Sequence, residues 1–307
     1  MRKCFFYTLL FCVATFVSIS QVVFLNNPSN HIVFYNPAFS AIKNGYNKNY
    51  IGNQACVSSR IAKSQTDVLG TAQYFFDKRN VGISLHYNNV QQKNSSYQKA
   101  GIGLSYQLLF FNEITTGWAV SLNYNDLKTD TANLFSIYNE NYTTKMLASK
   151  QSIVNFGWMI NYENNIAGIS YQPKQLVYSL SNPFGTYQSA TSFYLKHRKS
   201  VTRNVNATLW YSGYFITANN LVNAQSELVN KKIQNHAFNV HFSGKKGLIG
   251  GVGFRFTNFN YQSFLCKLGF NYKQFQILYG IEPYWLKQTY SETIQEISLT
   301  YRIKTNI

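Results

Sequence analysis

Acidic residues are scarce in this chain of 307 residues: 11 Asp and Glu stand against 28 Lys and Arg, for a formal charge of +17, and charged residues of both signs make up only 13%. A soluble globular domain carries about 25%, so the composition argues against an ordinary cytosolic enzyme. Proline is rare, at 5 residues, and the mean hydropathy is −0.21. Together these argue against low-complexity disorder and against a stack of membrane helices. Beyond the first twenty residues there is no apolar run of about 18 residues, the minimum for a spanning helix.

Aromatic residues are plentiful instead, with 24 Tyr, 24 Phe and 4 Trp making 17% of the chain. Residues 1–20 read as a secretory signal peptide, with Arg2-Lys3, an apolar core from Cys4 to Val17, and Ser18-Ile19-Ser20 before Gln21. Its removal takes two basic residues and two cysteines away, leaving 287 residues at +15. An exported chain without a membrane helix is a soluble secreted protein, a lipid-anchored protein or a membrane β-barrel. Cys12 sits poorly for lipid attachment.

The mature sequence alternates apolar and polar residues with period two, as a half-buried strand requires. Val81, Ile83, Leu85 and Tyr87 share one face, Gly82, Ser84, His86 and Asn88 the other. Trp118, Val120, Leu122 and Tyr124 alternate in the same way with Gly117, Ala119, Ser121 and Asn123. Fourteen such windows occur, at 51–61, 67–76, 80–89, 98–109, 115–126, 151–162, 165–172, 189–198, 204–215, 234–243, 246–257, 262–271, 273–281 and 293–303. Those at 67–76, 189–198 and 204–215 alternate less cleanly. Most span the about 9–11 residues with which a tilted strand crosses a bilayer. Links after the even windows have 1 to 5 residues, and those after the odd windows 4 to 24. That sorting by parity predicts an all-β, up-and-down antiparallel transmembrane barrel of about 14 strands over 51–307, with short periplasmic turns and long outer loops.

The apolar face carries rings near strand ends, among them Tyr87, Tyr106, Tyr124, Tyr171, Phe270 and Tyr301, where an interfacial girdle would place them. The other face is Gly, Ser, Thr, Asn and Gln with a few charges, Arg60, Arg255, Lys267, Glu296 and Arg302. It reads as a wet, hydrogen-bonded lumen without a hydrophobic core. Basic residues at Lys78-Arg79, Lys196 to Lys199, Lys231-Lys232 and Lys245-Lys246 read as anchors to lipid headgroups, and no compact stripe suited to nucleic acid is present. Long outer loops at 127–150, 173–188 and 216–233 offer a binding cap or a shield over the mouth.

Chemistry is poorly represented. The five histidines, His31, His86, His197, His236 and His241, form no metal-type pair, and Ser84 with His86 is a poor match to a hydrolytic dyad. No catalytic residue, metal or cofactor is expected. Cys56 and Cys266 fall on strands too far apart to be bridged and should be free thiols.

Asn36-Pro37-Ala38-Phe39, ahead of the first strand, resembles the Asn-Pro-Ala-aromatic motif of the PorP/SprF proteins of the type IX secretion system. Further stretches agree in order: Val81-Gly82-Ile83-Ser84 with Leu104-Ser105-Tyr106, Phe156-Gly157 with Ala167 to Tyr171, Gly251 to Arg255, and the terminal Glu296 to Arg302. The last resembles a closing His-Glu-Ile-x-Leu-x-Tyr-Arg, with Gln295 in place of the His. The resemblance implies an outer-membrane barrel serving the secretion and gliding machinery as a non-enzymatic partner. Its partners would be secreted cargo with a C-terminal sorting domain, periplasmic machine subunits and outer-membrane lipid. Asn36, Pro37, Ala38 and Phe39 become candidate partner-binding residues, within a segment 21–50 expected to fold into or under the periplasmic mouth. A porin or substrate channel is the competing reading, because small inward residues leave space inside.

Overall fold

The computed structural model describes residues 31–42, 53–62, 65–92, 95–110, 114–130, 146–179, 182–222, 228–257, 261–286 and 289–303. The signal segment 1–20, the remainder of 21–50 and the outer-loop residues 131–145 lie outside them. Among the described residues run fourteen strands, one in each window of alternation: β1 (Gln54–Ile61), β2 (Gln65–Phe76), β3 (Val81–Gln92), β4 (Ser95–Phe110), β5 (Ile114–Asp130), β6 (Met146–Tyr162), β7 (Asn165–Ser179), β8 (Asn182–Thr202), β9 (Val205–Val222), β10 (Leu228–Gly244), β11 (Leu248–Thr257), β12 (Tyr261–Tyr272), β13 (Phe275–Leu286) and β14 (Thr289–Arg302). Each pairs antiparallel with its neighbours in sequence, and β1 pairs with β14 through Val57↔Leu299 and Arg60↔Glu296, closing the barrel. Closure leaves no edge, the condition for a sheet in a solvent that offers no hydrogen bonds.

The periplasmic turns are as tight as the spacing predicts, and several rest on left-handed backbone, at Asn80, Glu163, Lys273 and Gly247. Gly247 has φ 93°, and a Cβ there would also run into the carbonyl of Asn271. The outer side departs from expectation. Of the three long loops, 127–150 is strand up to Asp130 and again from Met146, 173–188 is almost all β7–β8 hairpin, and 216–233 continues β9 and β10 to Val222 and from Leu228. These extensions pair by backbone hydrogen bonds. The sequence of these extensions carries no regular apolar–polar alternation to report the pairing.

Side chains divide by parity. Leu104, Trp118, Val120, Leu122 and Ile297 point outward and are more than half or nearly half exposed, a continuous apolar surface that lipid covers. Ser58, Thr71, Gln73, Ser84, Asn88, Ser105, Ser121 and Asn123 point inward and are buried. Inside lie a helical turn, α1 (Ile32–Tyr35), and a 3-10 turn, η1 (Pro37–Ala41). Pro37 opens η1 with its preset φ, and the Asn36 side chain caps it by accepting from the Ala38 N–H at 2.9 Å.

The outward face sets one expectation. Val120→Arg, on the lipid side well inside β5, should cost about 2–4 kcal/mol, while Val201→Arg, one residue from the end of β8, should cost about 0–1 kcal/mol. Denaturant unfolding in vesicles measures both, and equal costs would place Val120 outside the bilayer core.

Candidate functional site

The site is the contact between residues 31–42 and the inner wall near the periplasmic turns. Five glycines on consecutive strands face the inserted segment. A Cβ on Gly82 of β3 would strike the Ser40 carbonyl; on Gly103 of β4 it would lie 3.0 Å from Pro37 Cβ. On Gly117 of β5 it would lie 3.1 Å from both the Ala38 carbonyl and Ala41 Cβ; on Gly157 of β6 it would strike Asn36 Oδ1; on Gly168 of β7 it would lie 2.6 Å from the Phe39 ring. The wall is therefore hollowed by one side chain per strand along β3–β7, and the segment fills the hollow.

Polar contacts fix its position. The Asn36 amide donates to the carbonyls of Trp158 on β6 at 3.0 Å and Ile169 on β7 at 3.1 Å, bridging two strands. Ser40 Oγ donates to the Pro37 carbonyl and lies 2.8 Å from Ser105 Oγ, while Ser170 Oγ donates to the Tyr35 carbonyl at 2.7 Å. At the upper end, the two nitrogens of His31 meet Thr71 Oγ1 at 2.9 Å and Ser58 Oγ at 2.6 Å, with Cys56 Sγ 3.3 Å away. Burial lowers the pKa of His31 to about 3 from its ordinary 6.5, so the ring is neutral.

Around these bonds is a hydrophobic core: Ile32, Val33, Ala38, Phe39, Ala41 and Ile42 pack with Phe75, Ala119, Met159, Ile166, Tyr194 and Trp210 of the wall. The expectation of a lumen without a hydrophobic core is thus corrected at this end. Its missed signal was in the sequence: inward apolar residues such as Leu69 and Phe75, Tyr194 and Trp210 are what blur the alternation in 67–76, 189–198 and 204–215. Phe39 meets Tyr194 edge-on at 5.0 Å, Phe34 meets His86 edge-on at 5.3 Å, and Lys99 Nζ lies 4.5 Å over the Phe34 ring.

Asn36, Pro37, Ala38 and Phe39 are all buried by these intramolecular contacts. To meet a partner they would have to leave the barrel, since none presents a side chain outward. Of the charges read as luminal, Arg60, Arg255, Lys267 and Glu296 are buried within the wall and Arg302 is half-buried at the end of β14. Arg60 lies 3.7 Å from Glu296 and 3.4 Å from Asp67, and Arg255 lies 2.8 Å from Glu282. Lys99, Lys196 and Arg198 also point inward and are buried. The reading of Lys196 to Lys199 as headgroup anchors is therefore half corrected: period two sends Lys196 and Arg198 to the lumen, and His197 and Lys199 outward. Neither buried Cys56 nor Cys266, exposed on the lipid side, is in a disulfide. Among the described residues no group of three or more His, Cys, Asp or Glu could hold a metal ion.

No protein-family model matches the sequence, and no curated protein matches it either. Solved structures do. A FadL homologue of Pseudomonas aeruginosa aligns with 92% of this chain and 95% of its own at a TM-score of 0.53 and 9% identity. The Pseudomonas putida toluene transporter TodX aligns with 92% and 94% at 0.52 and 8%, and the monoaromatic hydrocarbon channel CymD with 83% and 89% at 0.51 and 9%. At such identities the likeness is one of fold: this chain is an outer-membrane-type barrel.

Two expectations follow from the hollow. Gly157→Val overfills it, an insertion that costs about 1–3 kcal/mol. Thiol labelling of a Ser40→Cys reporter should then rise by about tenfold or more while the barrel keeps its strand content by circular dichroism. Acidification should act through His31. Its pKa is depressed when seated, so its contribution is full above about pH 6.5 and is lost as pH falls toward 3, by about tenfold per unit. His31→Gln should flatten that part of the labelling profile.

Proposed function

We propose that this outer-membrane barrel is a non-enzymatic component of the type IX secretion and gliding machinery, closed at its inner mouth and working by protein contact in the export or surface retention of cargo adhesins. The single observation that carries the reading is that two of the stretches on which the family resemblance rests meet the inserted segment in space. Asn36 and Phe39 lie against Gly157 and Gly168, and Ser40, the next residue, lies against Gly82 and Ser105, all four from matched stretches. Chance alternation would scatter such residues around the barrel. A segment bonded to β6 and β7 and packed on β3–β8 also favours a barrel that presents surfaces over one that passes solutes. The extended outer hairpins β5–β6, β7–β8 and β9–β10 rise beyond the apolar band and supply backbone and side chains for a cargo domain. The partners would be a secreted protein with a C-terminal sorting domain and periplasmic subunits of the machine.

A substrate channel is the second reading. It is favoured by the polar and basic inner wall of β8–β12, which the inserted segment covers least, and by the transport described for TodX and CymD.

The two separate in a bilayer and on a column. The accessory reading expects no stable single-channel steps from the purified barrel and co-purification of sorting-domain cargo or periplasmic subunits from mild detergent, lost when the three outer hairpins are trimmed. Regular conductance steps with no co-purifying chain would overturn it in favour of the channel.

A further inference from the structure

The barrel is closed at its inner end and parted at its outer one. Among the described residues β6 pairs with β7 from Tyr162↔Asn165 to Phe156↔Tyr171 and no further. Both strands nevertheless run on, β6 back to Met146 and β7 up to Ser179. Each keeps its other neighbour: β6 stays paired with β5 through Asn123↔Ile153, Asp126↔Lys150 and Asp130↔Met146, and β7 with β8 through Gln175↔Gln188 and Ser179↔Asn182. The outer part of β6 is therefore held as a strand by one edge, and its other edge carries no ladder. At β10–β11 and β14–β1 the longer strand also outlasts the pairing, but there the shorter one has ended, at Thr257 and Ile61.

The sequence supplies the cause. Pro173 has no N–H to donate, and with Lys174 it falls in a bulge where the β7–β8 register shifts between Gln172 and Gln175. A bulge bends its strand, and this one bends β7 just where the ladder to β6 stops.

The level of the gap decides what can enter it. Tyr171 and Tyr124, outward rings of the girdle, stand opposite Phe156 and Ser152 of β6. The parting thus begins at the outer interface and continues beyond the lipid, where water reaches backbone groups. Its two sides differ. That of β7 opens with Pro173-Lys174, residue types that blunt an edge, whereas the ten residues of β6 from Met146 to Asn155 include one lysine and neither proline nor glycine. They offer about 33 Å of strand. Alternate residues of this stretch turn both backbone groups away from β5 and into the gap. At its foot Asn155 is 4% exposed, and its Oδ1 accepts no hydrogen bond.

Donors and acceptors repeating along a straight edge are matched by one chemistry, that of another polypeptide strand; a solute or a headgroup meets only one or two of them. The β7–β8 hairpin stands on the far side of the gap, which suits a lone strand and obstructs a second barrel. We propose that the outer edge of β6, Met146 to Asn155, is the docking site for an extended segment of the secreted cargo protein, which adds to the sheet as a strand between β6 and β7. The site rests on the reading of the barrel as a partner of secreted cargo and gives that reading a specific contact.

Backbone hydrogen exchange of the full-length barrel in mild detergent reads the edge directly. In the free barrel every second amide of 146–155 should exchange about tenfold faster or more than those of 157–161, which lie between two paired neighbours. With co-purified sorting-domain cargo bound, that fast set should become protected. One of the adjacent residues Gln151 and Ser152 turns its N–H to the gap, and exchange identifies which. Proline in place of that residue should leave the strand content unchanged and weaken cargo capture about tenfold or more. Amides of 146–155 as slow in the free barrel as those of 157–161 would overturn the open edge. Cargo capture unchanged by the proline, or cargo bound without protection of 146–155, would overturn the docking site and leave the cargo reading standing. Protection that appears on concentrating the barrel alone would assign the edge to a second copy and overturn the site as well. A wild-type barrel that captures no cargo would remove both the site and the reading beneath it.

Discussion

A cylinder of fourteen strands encloses more space than its own inward side chains fill, and that surplus volume governs the rest of the structure. In lipid the wall has no freedom to collapse, because every backbone group must stay in the closed ladder. Interior volume is therefore settled by what is put inside. Here one end is filled by residues 31–42, and the wall accommodates them by subtraction: glycine at 82, 103, 117, 157 and 168 removes a side chain from each of five adjacent strands. The segment is correspondingly compact, a single helical turn and a 3-10 turn with Ala38 and Ala41 against the wall.

This arrangement inverts the usual distribution of hydrophobic stabilisation. The outward Leu, Val and Trp gain nothing from mutual association in lipid, whereas inside the barrel water is the competing solvent and apolar burial counts in full. The cluster of Phe39, Ile32, Met159, Ile166, Tyr194 and Trp210 is thus where the hydrophobic effect works as it does in a soluble protein, although it lies at the centre of a membrane protein. Specificity of seating comes from elsewhere. Asn36 uses both ends of its amide, one to cap η1 and one to bridge β6 and β7, so a shifted segment would leave its own turn uncapped and the bridging donor unpaired.

Much of this was legible in the residues. All fourteen strands coincide with windows of alternation, because each wall position meets lipid on one side and a polar interior on the other, and period two reports that contrast directly. The outer hairpins were illegible because backbone pairing needs no alternation, so 173–188 and 216–233, whose sequences do not alternate, read as loops although they pair as strands. Glycine in the inward register was visible but ambiguous. Gly82 and Gly157 announce missing volume on the inner face without saying whether water or chain occupies it; only the contact with Asn36 and Ser40 resolves that. The inward direction of Lys196 follows from parity, against the reading of Lys196 to Lys199 as one headgroup anchor.

The charge of the chain takes on a different meaning once direction is known. Lys78, Arg79, Lys199, Lys245 and Lys246 are exposed at the periplasmic turns, where anionic headgroups neutralise them at little cost. Lys99, Lys196, Arg198, Arg255, Lys267 and Arg60 have no such recourse, and the described lumen offers them only Asp67, Glu282 and Glu296 as buried acids. Those three acids lie on β2, β13 and β14, beside Arg60 and within reach of Arg255. The imbalance is therefore concentrated on β8–β12. Filling the lumen by a neutral segment seated on the glycine strands leaves that imbalance uncovered, so the two halves of the interior differ in kind: one is closed by packing, the other is lined by buried basic side chains.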